Sequence, residues 1–217
     1  HGGKDPGAIG GLGTFEKNIT LQLSLELAKS LKKNNKITPI LSRTTDIYLT
    51  LRERIKLAKI NKSNIFVSLH ADASENFNAQ GLSVFSLSDI ASDKEAKMIA
   101  ERENAVDMIP GVQNDIKDPI VFGTLIKMFQ RQAMNDSAGL ARNIIINLNK
   151  TKLTINRGHR FAGFTVLKAY DIPSVLIEIG FISNLREEKK MLDNQYLMNL
   201  SKNLTIAIEN YLLKKNN

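Results

Sequence analysis

The chain has 217 residues, enough for one substantial core, and that length favours one domain over two. Its hydrophobic share of 42% against 24% charged is that of an ordinary globular protein, and no apolar run approaches the roughly 20 residues of a membrane span. A formal charge of +8 directs any extended partner to the anionic classes: nucleic acid, an acidic lipid surface or an acidic cell-wall polymer. The absence of cysteine excludes a disulfide framework and a thiolate metal site. The chain opens on His1 with no initiator methionine and reads as a fragment, so the lack of a visible signal peptide decides nothing.

After the glycine-rich opening HGGKDPGAIG, Thr14 is the expected N-cap of a helix running to about Lys33, with Leu23, Leu27 and Leu31 along one stripe. KITPILSR then reads as a strand. Thr50 and Glu53 have capping-box spacing at the start of a second helix that ends near Asn61. NIFVSLH and GLSVFSL are short and apolar enough for buried strands. From about Ser88 to Asn156 the alternation lapses into a mostly helical stretch, interrupted by IPGVQNDIKDP, that reads as an insertion. Strands resume with GFTVLKA and SVLIEIG, and from Leu185 the chain is helical, with Leu197, Leu200, Leu204 and Ile208 in a stripe. The predicted class is α/β, a three-layer fold of helices over a mostly parallel twisted sheet, with an all-helical insertion between two strands. Ligands of such sheets bind beyond the carboxyl ends of the strands, where His70 and Glu178 lie.

Glu178 sits in the middle of the apolar run PSVLIEIGFISN, where an unpaired carboxylate costs on the order of several kcal/mol or shifts its pKa upward. The three histidines are His1, His70 and His159. His1 lies in a loop that lets backbone and ligand approach closely, although taken alone it reads more readily as a frayed terminus or a cloning remnant. His70 closes an apolar strand, where a satisfied rim histidine is the bland alternative. Glu16 falls in the first turn of its helix, a place the helix dipole favours for any carboxylate. Together, two imidazoles and a carboxylate make an N,N,O set that suits zinc with an open fourth position, and a general base beside it gives Glu178 a reason to be in an apolar wall.

The blocks HGGKDPGAIG, RTTDIYLTLRERIKLA, IFVSLHADA and GFTVLKAYDIPSVLIEIGFISN resemble, in order, the signature blocks of the zinc-dependent N-acetylmuramoyl-L-alanine amidases of the Amidase_3 family, over nearly the whole chain. The resemblance implies one zinc ion held by His1, Glu16 and His70, with Glu178 as catalytic acid/base. It implies hydrolysis of the amide joining the lactyl group of N-acetylmuramic acid to L-alanine in peptidoglycan. Residues 1–217 are then the catalytic domain, with the strand that the family places before His1 missing. His159 lies outside the family pattern, either touching substrate or metal or simply on the surface.

In SDKEAKMIAERENAVDMI, a helix capped by Ser92 or Asp93, Ala96, Ile99, Glu103 and Val106 share a stripe that Glu103 interrupts. On the residues alone Glu103 reads as an edge position paired to Arg102 or to a lysine elsewhere. Amidases of the cell-division subgroup resemble this chain in carrying an E-N-A helix here whose Glu fills the open zinc position. That resemblance implies that residues 88–156 form a regulatory insertion, that Glu103 is an inhibitory fourth ligand, and that a LytM-type activator displaces it in the periplasm during daughter-cell separation. A monomer is expected. Asp118 to Leu148 would complete the insertion, as a partner surface or by packing down. A competing reading, a non-enzymatic basic module binding nucleic acid, draws on the charge and on KSLKKNNK. Against it, there is no Trp, and the aromatics sit mostly in apolar strands instead of interleaving with Lys and Arg. A third reading is a metal-free peptidoglycan-binding module, distinguished by metal content.

Overall fold

The computed structural model describes residues 1–108 and 124–215. Its elements are α1 (Glu16–Leu31), α2 (Leu51–Ile60), β1 (Phe66–Asp72), β2 (Leu82–Leu87), α3 (Lys94–Asn104), α4 (Thr124–Thr151), β3 (Asn156–Ala162), β4 (Ser174–Phe181), α5 (Leu185–Met191) and α6 (Asn194–Lys215). Short 3-10 turns follow α3, at Ala105–Met108, and β3, at Thr165–Leu167. The sheet order is β1-β4-β2-β3. β1 pairs with β4 and β2 with β3 in parallel, and the central β4–β2 pairing is antiparallel, so the α/β sheet is mixed.

β4 is buried along its whole length, because it runs down the middle of the sheet with helices on both faces. On one face Val175, Ile177 and Ile179 meet Leu23 and Leu27 of α1, Leu140, Ile144 and Leu148 of α4, and Leu197, Leu200 and Leu204 of α6. On the other, Leu176 and Phe85 pack against Ala96, Ile99 and Ala100 of α3 and against Phe164, Val166 and Leu167. The helical stretch between β2 and β3 therefore divides, since the latter half of α4 is main core while α3 covers the opposite face. IPGVQNDIKDP lies outside the described residues.

Three local expectations are corrected. KITPILSR forms no strand: Pro39 can donate no ladder hydrogen bond and restricts Thr38, and a cavity of about 430 Å3 lined by Ile37, Ile40, Leu41, Val67 and Leu69 lies between this segment and β1. Thr14 is not the cap of α1, which starts at Glu16 after Phe15 without a side-chain cap. The strand expected at GFTVLKA lies earlier, at NRGHRFA, while Phe164, Val166 and Leu167 enter the core from a 3-10 turn. The Thr50–Glu53 capping box is present at the start of α2.

Two adjacent carboxylates from α5 tie loops to the sheet. Glu188, fully buried, accepts from the Leu12 N–H at 3.1 and 3.0 Å through its two oxygens and from the Thr14 N–H at 3.3 Å. A Cβ on Gly10 would come within 2.1 Å of its Oε1, so this loop can pass only as glycine. Glu187 accepts from the N–H groups of Gly81 at 2.8 Å and Phe181 at 3.1 Å. Replacing Glu188 with Ala orphans the Leu12 and Thr14 donors and is expected to destabilise the fold by about 1–3 kcal/mol, read as a lower urea midpoint. Leu140→Ala, in the core-packing half of α4, is expected to cost about 2–5 kcal/mol by the same measurement.

Candidate metal centre

Four side chains from distant parts of the chain converge beneath α3. His1 comes from the glycine-rich loop, Glu16 from the first residue of α1, His70 from β1 and Glu103 from α3, and one donor atom of each lies within 4.8 Å of the others. His1 Nε2 is 3.2 Å from Glu16 Oε2 and 3.2 Å from Glu103 Oε2. His70 Nδ1 is 3.1 Å from Glu16 Oε1 and 3.0 Å from Glu103 Oε2. Donors at about 2.0–2.1 Å from a tetrahedral zinc lie roughly 3.3 Å apart; the donor set suits that ion, and the four imidazole–carboxylate contacts come close to that separation. Beyond these ion-pair contacts, His1 Nε2 and Glu103 Oε2 are buried without a hydrogen bond among the described residues, which suits donors of a cation.

Each donor is aimed by a second group. Asp5 Oδ2 lies 2.6 Å from His1 Nδ1, which leaves Nε2 for the centre, while Asp5 Oδ1 accepts from the Gly7 N–H at 3.0 Å. Gly7 has φ of +68°, and a Cβ there would meet Glu16 Oε2 at 2.6 Å and His1 Cδ2 at 2.7 Å. The Glu16 oxygens accept from the Ala8 N–H at 2.8 Å and the Ala71 N–H at 2.9 Å. Ser68 Oγ sits 3.1 Å from His70 Nε2 and turns Nδ1 inward. Sequence reasoning missed Asp5, although a carboxylate four residues after a candidate ligand, in the same tight loop, was the available signal.

The charges hold one another. Burial opposes a charge on His70, but Glu103 and Glu16 outweigh it and raise the imidazole to about 9. His1 is likewise held far above its ordinary range, against burial, by Glu16, Asp5 and Glu103. Conversely the two imidazoles keep Glu16 well below the usual carboxylate range, and pull Glu103 down to about 2, despite the burial of both acids. The pairing of Glu103 with Arg102 or a lysine, open on sequence, is not what the structure has: Glu103 faces both imidazoles and Arg102 turns elsewhere.

Glu178 lies beside this cluster, in register with His70 on β1 and with Ser83 on β2. It is 2% exposed; its Oε2 accepts from the Asp72 N–H at 3.0 Å and its Oε1 has no partner. Burial first, then the nearby carboxylates of Asp72, Glu103 and Glu16, push its pKa well above the ordinary carboxylate value. Asp72, a second acid that sequence reasoning missed, is pushed up to about 7 by burial, against the pull of Arg102. His159 has no described contact with these groups; its Nε2 is 2.8 Å from Ser86 Oγ and its ring packs on Phe161 at 4.4 Å.

α3 is fixed over the site at both ends. Asp93 caps it and pairs with Arg160, and Glu95 accepts from Arg157 at 3.1 and 2.8 Å. At the other end Asn104 donates to the Gly163 carbonyl at 2.9 Å and accepts from the Thr165 N–H at 2.7 Å. The lysines of KSLKKNNK are exposed around the end of α1, a solvated face.

The family model of the N-acetylmuramoyl-L-alanine amidases called Amidase_3 matches residues 1–210. The chain is 36% identical over 213 residues to AmiC of Escherichia coli, covering 97% of this chain and 51% of AmiC. It is 35% identical over 190 residues to AmiA of Escherichia coli K12, covering 87% of this chain and 65% of AmiA. It thus spans about half to two thirds of the length of these relatives. Among solved structures, the CwlD amidase of Clostridioides difficile, in complex with the GerS lipoprotein, superposes with a TM-score of 0.66 at 25% identity, over 98% of this chain and 94% of that one. Sequence blocks, sheet and donor cluster agree, and the chain belongs to the Amidase_3 family of N-acetylmuramoyl-L-alanine amidases.

Proposed function

We propose that this chain is a zinc-dependent hydrolase of the amide between the lactyl group of N-acetylmuramic acid and L-alanine in peptidoglycan, and that α3 holds it closed. The observation that carries the reading is the convergence of His1, Glu16, His70 and Glu103 beside the unpartnered Oε1 of Glu178. The names of the curated relatives, amidases of this specificity, support the substrate.

In this reading His1, Glu16 and His70 would hold zinc, which when bound would supply Lewis acidity to the amide carbonyl and to the attacking water. Glu178 takes a proton from that water at Oε1, since Oε2 is already held by the Asp72 N–H, and returns it to the departing alanine nitrogen. The sheet floor behind Glu178, with Leu176 and Ile177 fully buried, keeps bulk water away from the proton being carried.

Glu103, 3.2 Å from His1 Nε2 and 3.0 Å from His70 Nδ1, would be a further ligand of the metal and would compete there with water and substrate, so the docked α3 is the inactive state of this reading. The regulatory part of residues 88–156 is accordingly α3 and the turn after it. A partner that binds the undocked state better shifts the equilibrium; only differential affinity does so. We assign that part to a LytM-type activator in the periplasm, during daughter-cell separation, acting on a monomer. The CwlD neighbour, solved with the GerS lipoprotein, supports a protein partner for such a domain.

Two measurements test this. In a chain opened by Glu103→Ala, removing zinc with a chelator, or adding Glu178→Ala, is expected to lower release of stem peptides from purified peptidoglycan by at least about 100-fold; undiminished release there rejects the enzyme. Glu103→Ala, with zinc content and fold unchanged, is expected to raise basal release by about tenfold or more, since each ~1.4 kcal/mol of closure removed is a factor of ten. A silent Glu103→Ala variant removes the switch and leaves the hydrolase.

A further inference from the structure

The residue next to Glu103 makes an equally specific contact. Arg102 Nη2 donates to both carboxylate oxygens of Asp72 at 2.8 Å each. Asp72 ends β1, is 3% exposed, and its main-chain N–H is the group that holds Glu178 Oε2. Its carboxylate also accepts from the Ala73 N–H at 2.7 Å. A buried carboxylate in this position needs a cation, and its ion-pair partner among the described residues comes from the helix that covers the site. When α3 leaves, Asp72 stays on the floor beside Glu178 and the cation goes.

Amide hydrolysis supplies a replacement. The C–N bond breaks, the water oxygen joins the carbonyl carbon, and both water protons finish on the alanine nitrogen, so the products are a carboxylate and an ammonium. The docked helix presents the same two charges to the same floor: the Glu103 carboxylate among His1, Glu16 and His70, and the Arg102 guanidinium on Asp72. We propose that Asp72 is the subsite for the amino group released from alanine, and that the closed state is a product mimic in which Arg102 stands in for that ammonium. Asp72 is then a catalytic residue that steadies the leaving group as Glu178 protonates it. The inference rests on the hydrolytic reading above and adds a residue to it.

The test is calorimetric binding of a product peptide, L-Ala-D-Glu-L-Lys, to zinc-loaded full chain. With Glu103→Ala as the reference, adding Arg102→Ala is expected to tighten binding about tenfold, because the internal cation no longer competes. Adding Asp72→Asn to that double variant is expected to weaken binding at least tenfold, and to leave the Nα-acetylated peptide, which cannot carry the ammonium, unaffected. Unchanged binding of the free-amine peptide in Asp72→Asn overturns the proposal. If Asp72→Asn does not fold, the Arg102→Ala arm decides, and no gain in affinity there overturns it.

The lysine amine is the other possible source of the cation. An Asp72 effect that disappears on Nε-acetylation and survives Nα-acetylation assigns Asp72 to the side chain and overturns the leaving-group role. Zinc content and stem-peptide release, measured on the same preparations, separate the two levels. Persistent zinc-dependent release with Asp72-insensitive binding removes this subsite alone, whereas loss of zinc binding and of release removes the hydrolytic reading beneath it.

Discussion

The structure is organised around one electrostatic constraint: the carboxylates of Glu16, Asp72 and Glu178 on the floor and of Glu103 on the covering helix, each residue less than a tenth exposed, crowd one site. Like charges this close in a medium that solvates them poorly do not all stay ionised without cations. The fold supplies three, His1, His70 and Arg102, and orients two of them through Asp5 and Ser68. Exchanging two imidazolium protons for one divalent ion would leave the net charge of the cluster unchanged, so the proposed metal could enter without a new charge imbalance. Glu178 is the acid left over. Among the described residues it is the one of the four that no imidazole or guanidinium pairs with, and only its Oε2 is held, by the Asp72 N–H.

The helical stretch between β2 and β3 is split by the same logic. The core half of α4 contributes Leu140, Ile144 and Leu148 to the packing of α6 and the sheet, and large aliphatic side chains buried this way stabilise by about 1.5–3 kcal/mol each. α3 contributes Ile99 and two alanines to the opposite face. Its hold depends far more on polar contacts, from Asp93 and Glu95 at one end to Arg102, Glu103 and Asn104 at the other. Such contacts are exchangeable for water or ligand at small net cost, whereas buried aliphatic area is not. A helix docked largely by polar groups is therefore suited to leave, and one docked by leucine and isoleucine is suited to stay.

Much of this was legible in the residues, and the failures have physical causes. The stripe Leu197, Leu200, Leu204 and Ile208 fixed the buried face of α6, and the Thr50–Glu53 pair fixed the start of α2, because both signals are local. GFTVLKA misled because a fully buried 3-10 turn and a buried strand present the same short apolar run. KITPILSR carried its own warning in Pro39. Thr14 looked like a cap, yet its N–H is claimed by Glu188, which lies 174 residues away and belongs to another element. His1, Glu16, His70, Glu103 and Glu178 were candidates by residue type and family likeness, but only tertiary structure shows them together. Asp72 was overlooked although strand period places it on the same side as His70, two residues earlier, and therefore at the same floor.

The adjacency of Arg102 and Glu103 explains how one helix acts on two subsites. Successive residues in a helix point about 100° apart, so no flat surface can take both side chains. Here the surface is not flat. Glu103 follows Ile99 down the buried stripe toward the imidazoles, while Arg102, with its side chain 44% exposed, bends around the edge to reach Asp72 at the end of β1. The two contacts are on one turn of one rigid element, so they form and break together. In the proposed switch, undocking α3 would free the His1–Glu16–His70 cluster and the Asp72 carboxylate in a single step, and a partner would need only to bind the helix, or the surface it vacates, to change both.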